Sequence, residues 1–227
     1  MTYEFEQPEY REEETQHDAV PDVTQEKTAA AAEKKQVSAA EQCYTVLHDL
    51  VYILAFITLF FVFALRMVSV EGTSMLPTLV NHDYVLLLSN VFYQDEDIEC
   101  GDVVVALAPR FDDEPIVKRV IATEGQTVDI DFNLGIVYVD GVALQEDYIL
   151  APTYTHFRDK GVTFPMTIEP GHVFLMGDNR NGSSDSRLAT IGQVDTDYIL
   201  GKVVCILFPG KDEITDTRDF GRIGAVN

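Results

Sequence analysis

The sequence predicts a mostly β fold, an antiparallel β-sandwich or barrel-like domain, preceded by one transmembrane helix. Two observations predict it. A long uncharged apolar run occupies residues 50–65, and after residue 80 short runs rich in Val, Ile, Leu and Phe alternate with turn residues. Because the later runs show neither a helix-length amphipathic pattern nor an alternation of strands with helices, a parallel α/β sheet is not expected.

The segment before the apolar run, residues 1–43, has the composition of a disordered tail. It holds 11 acidic residues against 4 basic ones and few aromatic or branched apolar residues after Phe5. Such a segment buries too little apolar surface to offset the entropy lost on ordering. We therefore expect residues 1–43 to be an acidic, disordered cytoplasmic tail, within which residues 28–42 could form a nascent helix.

The uncharged run is a candidate membrane anchor. Its 16 residues would cover about 24 Å as a helix, less than the ~30 Å hydrocarbon core of a bilayer. Extending the helix to residues 44–70 closes the gap, with His48, Asp49 and Arg66 at the polar interfaces. We predict a transmembrane anchor there. A buried core helix and a cleaved secretion signal are the alternatives, and the long polar segment before the run argues against the second.

Basic residues near the apolar run predict its orientation. Lys27, Lys34 and Lys35 precede the run, and Arg66 follows it directly. This bias predicts a single pass through the cell membrane, with a cytoplasmic N-terminus and an extracytoplasmic C-terminal domain.

The rest of the chain is predicted to be one globular β-rich domain, residues 71–210, followed by a polar C-terminal tail, residues 211–227. From residue 67 onward, 26 acidic residues stand against 11 basic ones, so nucleic-acid binding is not expected. Between two predicted strands, Asp140 and Gly141 predict a tight hairpin, because a type I′ turn needs positive φ at both central positions. The predicted strands are residues 84–88, 102–108, 116–124, 127–130, 136–139, 172–176 and 200–208.

The cysteine pattern leaves two possibilities open and points to no metal. Cys43 precedes the domain, while Cys100 and Cys205 within it could form a disulfide or remain buried thiols. No group of His, Cys, Asp and Glu shows the spacing of zinc ligands, so we expect neither a metal nor an organic cofactor.

Ser74 and Lys118 are the candidate catalytic pair. Ser74 lies in the run GTSMLPTL at residues 72–79, and Lys118 stands among apolar residues 44 positions later. A serine hydroxyl is a weak nucleophile unless a base takes its proton. His82 is one possible base, and a lysine kept neutral by burial is another. A free lysine has a pKa near ~10.4, so to be neutral near pH 7 to 8 its pKa must fall by about 3, which corresponds to roughly 4 kcal/mol. Burial can lower the pKa of a lysine by that amount. An ordinary solvated lysine on a strand is the alternative.

A third block, GDNRNGSSDSR at residues 177–187, gives the first two a context. In their order, after one apolar anchor, the three blocks resemble the type I signal peptidases in their single-anchor, Gram-positive-like form. Those membrane-bound enzymes remove signal peptides from exported preproteins. The resemblance covers about residues 50–208, and it reaches neither the acidic tail nor the segment after Pro209.

The resemblance implies a role for each matching residue. Ser74 would be the acylated nucleophile, with its own backbone N–H stabilising the oxyanion, and Lys118 the general base. Ser183 would orient the lysine amine. Gly72 departs from members that carry, two positions before the nucleophile, a serine that assists the oxyanion; glycine is nevertheless common there in Gram-positive-type members. The charged residues implied to support the site are Arg119, Asp178, Asp185 and Arg187.

The resemblance also implies how a substrate would bind. An extended peptide would lie between the strand leading into Ser74 and the strand carrying Lys118, and cleavage would follow small residues in Ala-x-Ala-like sequences. The expected partners are signal peptides of exported preproteins and the lipid bilayer. Core packing is the alternative role for the apolar pocket residues. The residues expected to line the substrate pockets are Val70, Gly72, Met75, Leu79 and Val117.

Three other functions remain open at this point. The chain could be a catalytically inactive membrane-anchored scaffold of the same fold, or a peptidase specialised for one exported substrate. It could also be a self-cleaving repressor-type serine/lysine protease, although the apolar anchor and the acidic N-terminus argue against that class.

Overall fold

A computed structural model describes residues 38–92, 98–108, 114–157, 160–211 and 216–226. Residues 1–37 of the predicted disordered tail therefore lie outside the described residues. The chain divides into two compact units, Met1–Val51 and Tyr52–Asn227.

A single long helix, α1 (Ala39–Ala64), carries the apolar run. It begins at a capping box, because Ser38 Oγ accepts a hydrogen bond from Glu41 N at 3.2 Å and Glu41 Oε2 accepts one from Ser38 N at 3.0 Å. Its side chains are exposed almost throughout. Among the described residues it is the one helix long and apolar enough to cross a membrane.

The predicted anchor boundaries, 44–70, differ from those of the helix at both ends. The capping box starts the helix five residues earlier, so that its 26 residues span ~39 Å and no further residues are needed to cross a bilayer. Residues 65–69, predicted to belong to the anchor, instead form the first β-strand. They pair in antiparallel register with a later strand, Leu65 opposite Leu88 and Ser69 opposite Tyr84. That pairing takes up backbone groups that a continued helix would otherwise use.

Twelve β-strands follow α1 in the described part of the chain. They are β1 (Leu65–Ser69), β2 (Tyr84–Ser89), β3 (Val103–Leu107), β4 (Pro115–Ala122), β5 (Thr127–Asp131), β6 (Ile136–Val139), β7 (Val142–Ala143), β8 (Met166–Thr167), β9 (His172–Met176), β10 (Val194–Asp195), β11 (Ile199–Phe208) and β12 (Gly224–Ala225).

These strands form two antiparallel sheets. The first, with eight strands, has the order β1-β2-β11-β3-β4-β9-β10, and β12 pairs with β11 beside this path; the second has the order β7-β6-β5-β8. The prediction of a mostly β, antiparallel domain is confirmed. All seven predicted strands are present with ends shifted by at most two residues, whereas the sequence patterns missed β1 and the two-residue strands.

The predicted hairpin at Asp140 and Gly141 is also confirmed. These two residues connect β6 to β7, and their φ angles are 51° and 77°. Asp140 reinforces the turn by accepting a hydrogen bond from Thr127 N through its side chain at 2.8 Å. Positive φ at both central positions matches the twist of the paired strands.

The two sheets share an apolar core. Val128 and Val137 of the second sheet pack in one cluster with Ile121 of β4 and Phe174 of β9. A separate cluster under β2 and β11 includes residues from the loop between β1 and β2. That loop carries Ser74, so packing in the first sheet decides where the candidate nucleophile lies.

Part of the segment predicted to be a polar C-terminal tail, residues 211–227, pairs with the domain. Residues 224–225 form β12 and pair with β11, Gly224 opposite Ile206 and Ala225 opposite Cys205. Val226 packs against the cluster that contains the β1–β2 loop. The sequence did not predict this pairing, because two paired residues and one apolar contact are too short a pattern to recognise. Cys43, Cys100 and Cys205 are all free thiols.

Candidate active site

The loop between β1 and β2 presents Ser74. Its two ends are joined by backbone hydrogen bonds, from Val70 N to Asp83 O at 2.8 Å and from His82 N to Val70 O at 2.7 Å. Within it, Gly72 N donates to Asn81 Oδ1 at 3.0 Å. Gly72 has φ of 90°, a left-handed conformation that side-chain-bearing residues rarely adopt. Backbone conformation therefore accounts for a glycine at this position.

Lys118 lies in the middle of β4, with β3 on one side and β9 on the other. Only 4% of the residue is exposed. Its amine Nζ donates hydrogen bonds to Ser74 Oγ at 2.8 Å and to Val117 O at 2.8 Å. The structure thus brings together the two residues that the sequence singled out, although 44 positions separate them.

Burial lowers the pKa of Lys118 from 10.5 to about 8. Desolvation of the ammonium is the main cause, and the negative charges of Asp185 and Asp178 oppose it by favouring the charged form. The alternative of a solvated strand lysine does not describe this side chain. Near pH 8 about half of the amines are neutral, and a neutral amine is able to accept the proton of a serine hydroxyl.

Asn179 holds the peptide groups around Ser74. Its backbone N donates to Ser74 O at 3.0 Å, and its side-chain Nδ2 donates to Thr73 O at 3.1 Å. Within the described ranges, the backbone N–H of Ser74 has no hydrogen-bond acceptor. That donor is therefore free to bind the oxyanion that forms on a carbonyl oxygen when the hydroxyl attacks the carbonyl carbon. Asn179 lies in the third sequence block, residues 177–187, but the sequence predicted no role for it.

A buried ion pair joins β4 to the loop after β9. Arg119 Nε and Nη2 donate to the two carboxylate oxygens of Asp178 at 2.9 and 2.8 Å, and both side chains are at most 1% exposed. Asp178 Oδ2 also accepts from Thr78 Oγ1 at 2.5 Å. Since Thr78 belongs to the Ser74 loop, this pair connects that loop to the strand that carries Lys118.

A second buried pair braces the loop after β9 internally. Arg187 Nε and Nη2 donate to Asp185 at 2.8 Å each. Asp185 Oδ2 accepts from Gly177 N at 3.1 Å, and Arg187 Nη2 donates to Arg180 O at 2.6 Å. The four charged residues predicted to support the site therefore form two bidentate arginine–aspartate pairs, a geometry that satisfies buried charges well.

Ser183 is buried in the same loop as the Arg187–Asp185 ion pair, and it makes no hydrogen bond to the amine of Lys118. Its Oγ has no partner in the described part of the chain. A Cβ added to Gly177 would collide with Ser183 Oγ and with Ser74 O, so the glycine lets Ser183 pack against the Ser74 loop. The proposed orientation of Lys118 by Ser183 stays a prediction.

The predicted substrate pocket needs a correction. Val70, Met75 and Leu79 are at most 3% exposed and pack in the core cluster under β2 and β11. The alternative role, core packing, describes these three side chains, because the turn that exposes Ser74 directs its apolar neighbours inward. Gly72 is exposed and Val117 is partly buried at the edge of the same cluster, so these two remain candidates for substrate contact.

Sequence patterns missed several residues that support the site. Arg180 is fully buried, with Nη2 at 2.5 Å from Glu146 Oε1 and Nε donating to Gly177 O at 3.2 Å. The Tyr148 ring lies 4.1 Å from the guanidinium carbon of Arg119, and burial raises the pKa of its phenol to about 12. Arg180 lies in the third block and could have been found there. Glu146 and Tyr148 lie in a segment without a recognisable motif.

A serine hydroxyl hydrogen-bonded to a buried lysine amine is the arrangement of serine hydrolases in which lysine replaces histidine as the base. Comparison with known proteins gives the family within that class. Residues 43–208 match the model of the signal peptidases, peptidase S26, and the chain belongs to this family. It is thus a protease, of the membrane-bound serine type that removes signal peptides.

Named relatives agree with that assignment. The chain is 37% identical to the probable signal peptidase I-1 of Synechocystis sp. over 70% of this chain and 78% of the relative. It is 33% identical to signal peptidase I of Bacillus amyloliquefaciens, over 63% and 74% respectively. It is also 34% identical to mitochondrial inner membrane protease subunit 1 of Saccharomyces cerevisiae, over 66% and 72%.

Proposed function

We propose that the chain removes signal peptides from exported preproteins with Ser74 as nucleophile and Lys118 as general base. The observation that carries this proposal is the 2.8 Å hydrogen bond between Lys118 Nζ and Ser74 Oγ, made by a lysine residue that is 4% exposed. A buried amine with a pKa of about 8 is neutral often enough near neutral pH to accept a proton.

The reaction has two stages. In the first, Ser74 Oγ attacks the scissile carbonyl carbon while neutral Lys118 takes the hydroxyl proton, and the resulting ammonium gives that proton to the leaving amine as the peptide bond breaks. In the second, Lys118 takes a proton from water, the hydroxide attacks the acyl-enzyme, and the proton returns to Ser74 Oγ. Asp185 and Asp178 favour the ammonium electrostatically while it exists.

Oxyanion stabilisation falls to the backbone N–H of Ser74. Asn179 donates to the carbonyl groups of residues 73 and 74, and through Thr73 O it holds the peptide group to which the Ser74 N–H belongs. Since a single oxyanion donor contributes about 10²–10³ in rate in a serine protease, this one N–H is a major part of the predicted catalysis.

Substrate specificity for small residues, as in Ala-x-Ala-like sequences, fits the packing around Ser74. Met75 and Leu79 are held in the core and do not open a deep apolar pocket. A peptide lying along β4 near Val117 would then meet a shallow surface that suits alanine better than a large side chain. Backbone hydrogen bonds to that strand would supply affinity without sequence preference.

The proposed location is the cell membrane, with α1 crossing the bilayer, the N-terminus cytoplasmic and the protease domain outside the cytoplasm. The length and composition of α1 support a membrane span. Lys34 and Lys35 before the helix support the orientation. Attachment to the same membrane as the preprotein would raise the effective concentration of each for the other.

Processing of a membrane-bound precursor tests the proposal. Wild type, Ser74→Ala and Lys118→Ala are compared on a precursor with an Ala-x-Ala cleavage site, and we expect both variants to lose processing by roughly 10²–10⁴-fold or more. Lys202→Ala is the matched control. Lys202 lies in the same sheet, but its amine Nζ is 2.7 Å from Asp102 Oδ1 and makes no hydrogen bond to Ser74.

Two outcomes would contradict the proposal. Robust processing by a folded Lys118→Ala protein would mean that another group is the base. Failure of the wild type to form a covalent adduct on Ser74 with an acylating inhibitor would favour the inactive scaffold instead.

A further inference from the structure

Residues 216–226, called here the C-terminal clasp, return to the loop that carries Ser74. The clasp lies beyond residues 43–208, which match the signal peptidase family. Its polar contact with the loop is made by Arg222, whose Nη1 and Nη2 donate to the two oxygens of Asp83 at 2.9 and 2.6 Å. Arg222 Nη2 also donates to the backbone carbonyl of Thr78 at 2.9 Å.

Asp83 is the buried centre of this contact, with no exposed surface. Its Oδ2 accepts from Val80 N at 2.7 Å, which closes the end of the Ser74 loop. Its Oδ1 accepts from Gly210 N at 2.6 Å, which holds the segment after β11. Since a buried carboxylate needs a compensating charge, Arg222 is the residue that keeps this junction together.

Thr78 extends the contact to the catalytic centre. While its carbonyl accepts from Arg222, its hydroxyl donates to Asp178 at 2.5 Å. Asp178 in turn is paired with Arg119, the neighbour of Lys118 on β4. The Ser74 loop is therefore held at Thr78 from two directions, by the clasp through the backbone and by the buried ion pair through the side chain.

We propose that Arg222 is a positioning residue for catalysis, which holds the Ser74 loop through Asp83 and Thr78 so that the hydroxyl stays in reach of Lys118. This inference rests on the proposed roles of Ser74 and Lys118. Arg222 touches neither of these residues, so its effect is on their placement. A hydroxyl displaced by about 1 Å from its base loses much of its reactivity, which makes the turnover number sensitive to this contact.

The test compares Arg222→Met, Arg222→Lys and Arg218→Met in the full-length, membrane-reconstituted protein. Arg218 lies in the same clasp but stacks on Phe208 and donates to Pro209 O, so it is the matched control. We expect Arg222→Met to lower kcat about 10-fold with KM nearly unchanged, because the peptide-binding strand is not affected. Arg222→Lys should fall between this variant and wild type, and Arg218→Met should behave as wild type.

A readout beyond turnover separates positioning from general stability. If the loop shifts and water reaches the amine, the pH at which kcat/KM rises should move upward in Arg222→Met, toward the pKa of a solvated lysine. Loss of fold alone would lower the amount of active protein and leave that pH unchanged. Folded protein is confirmed by a melting temperature well above the assay temperature.

Each result decides the proposal. A folded Arg222→Met variant with wild-type kcat and an unshifted pH profile overturns it. If Arg222→Met does not fold, Arg222→Lys decides, since a folded lysine variant with wild-type kcat also overturns it. If the wild type fails to process the precursor, the proposed function has failed; the rate at which an acylating inhibitor modifies Ser74 then still reports whether Arg222 affects the loop.

Discussion

The two sheets of the domain bury different kinds of side chain. The first sheet and its loops bury charged residues, among them Asp83, Lys118 and Arg119, whereas strands β5–β8 of the second contribute only apolar residues to the described core, such as Val128 and Val137. Buried charges are costly unless they are paired. Their concentration around Ser74 indicates that this region is organised for chemistry, while the second sheet contributes apolar packing.

The largest expected effect comes from breaking a buried ion pair in the first sheet. Asp178→Asn leaves the Arg119 guanidinium buried without its carboxylate, and we expect a loss of about 3–5 kcal/mol in the free energy of unfolding. Denaturant unfolding in detergent measures it. The double variant Arg119→Met, Asp178→Asn should recover part of the loss, because the unpaired charge is gone. A single variant as stable as wild type would mean that water or another group replaces the pair.

The next prediction concerns Lys118, whose burial opposes folding. Because its folded pKa of about 8 lies below the unfolded value of 10.5, the unfolded state binds more protons between these two values. The destabilisation from this group is therefore complete below pH 8, and stability rises as pH increases from about 8 to 10.5.

A difference of 10.5 − 8 = 2.5 in pKa corresponds to about 3 kcal/mol. We thus expect Lys118→Met to be more stable than wild type at pH 7 by up to that amount, and inactive. Thermal or denaturant unfolding at pH 7 and pH 10 checks the prediction. A variant less stable than wild type at pH 7 would show that the hydrogen bonds of the amine outweigh its desolvation.

A substitution in the core of the second sheet should have the opposite effects to Lys118→Met, a lower stability and an unchanged turnover number. Val137 is fully buried in its core, so Val137→Ala should lower the free energy of unfolding by about 2 kcal/mol through lost burial and a small cavity. The kcat of the folded protein should stay at the wild-type value. A large fall in kcat without unfolding would show that the two sheets are coupled in function and would weaken the contrast drawn above.

The smallest effect is expected at Gly72. Its φ of 90° disfavours any residue with a Cβ, although a Cβ would meet no atom within 4 Å. Gly72→Ser should therefore cost about 1–2 kcal/mol of stability by backbone strain alone. We expect no gain in kcat from the added hydroxyl. An increase of 10-fold or more would mean that serine assists the oxyanion here and that the strain is relieved by a local shift.

Several features followed from local sequence patterns. Short apolar runs bounded by turn residues predicted β2, β6 and β9 to within one residue, and Asp140 with Gly141 predicted the tight turn, because these signals arise within a few neighbouring residues. The resemblance carried by three short blocks singled out Ser74 and Lys118 as the candidate nucleophile and base before any distance was known. The β1 strand was missed because its apolar residues continue those of α1, and only pairing with β2 distinguishes a strand there from more helix.

Other features depend on partners distant in the chain. Met75 and Leu79 were expected to face substrate but pack in the core, and Ser183 was expected to orient Lys118 but makes no hydrogen bond to it. Arg222 carried no signal, since its partner Asp83 lies 139 positions earlier. A short motif indicates which groups are reactive, but it does not predict which neighbouring side chains are buried in the core.

The sequence by itself determined the apolar helix and the antiparallel strands, since residue type and spacing encode local conformation, and the resemblance of three short blocks to a known family singled out the serine and the lysine. The tertiary structure alone decided that Lys118 is desolvated and 2.8 Å from Ser74 Oγ, and that Arg222 reaches the same loop from the other end of the domain. A pKa and a hydrogen bond depend on what surrounds a group in space, and in this domain those surroundings come from strands and loops far apart in the chain.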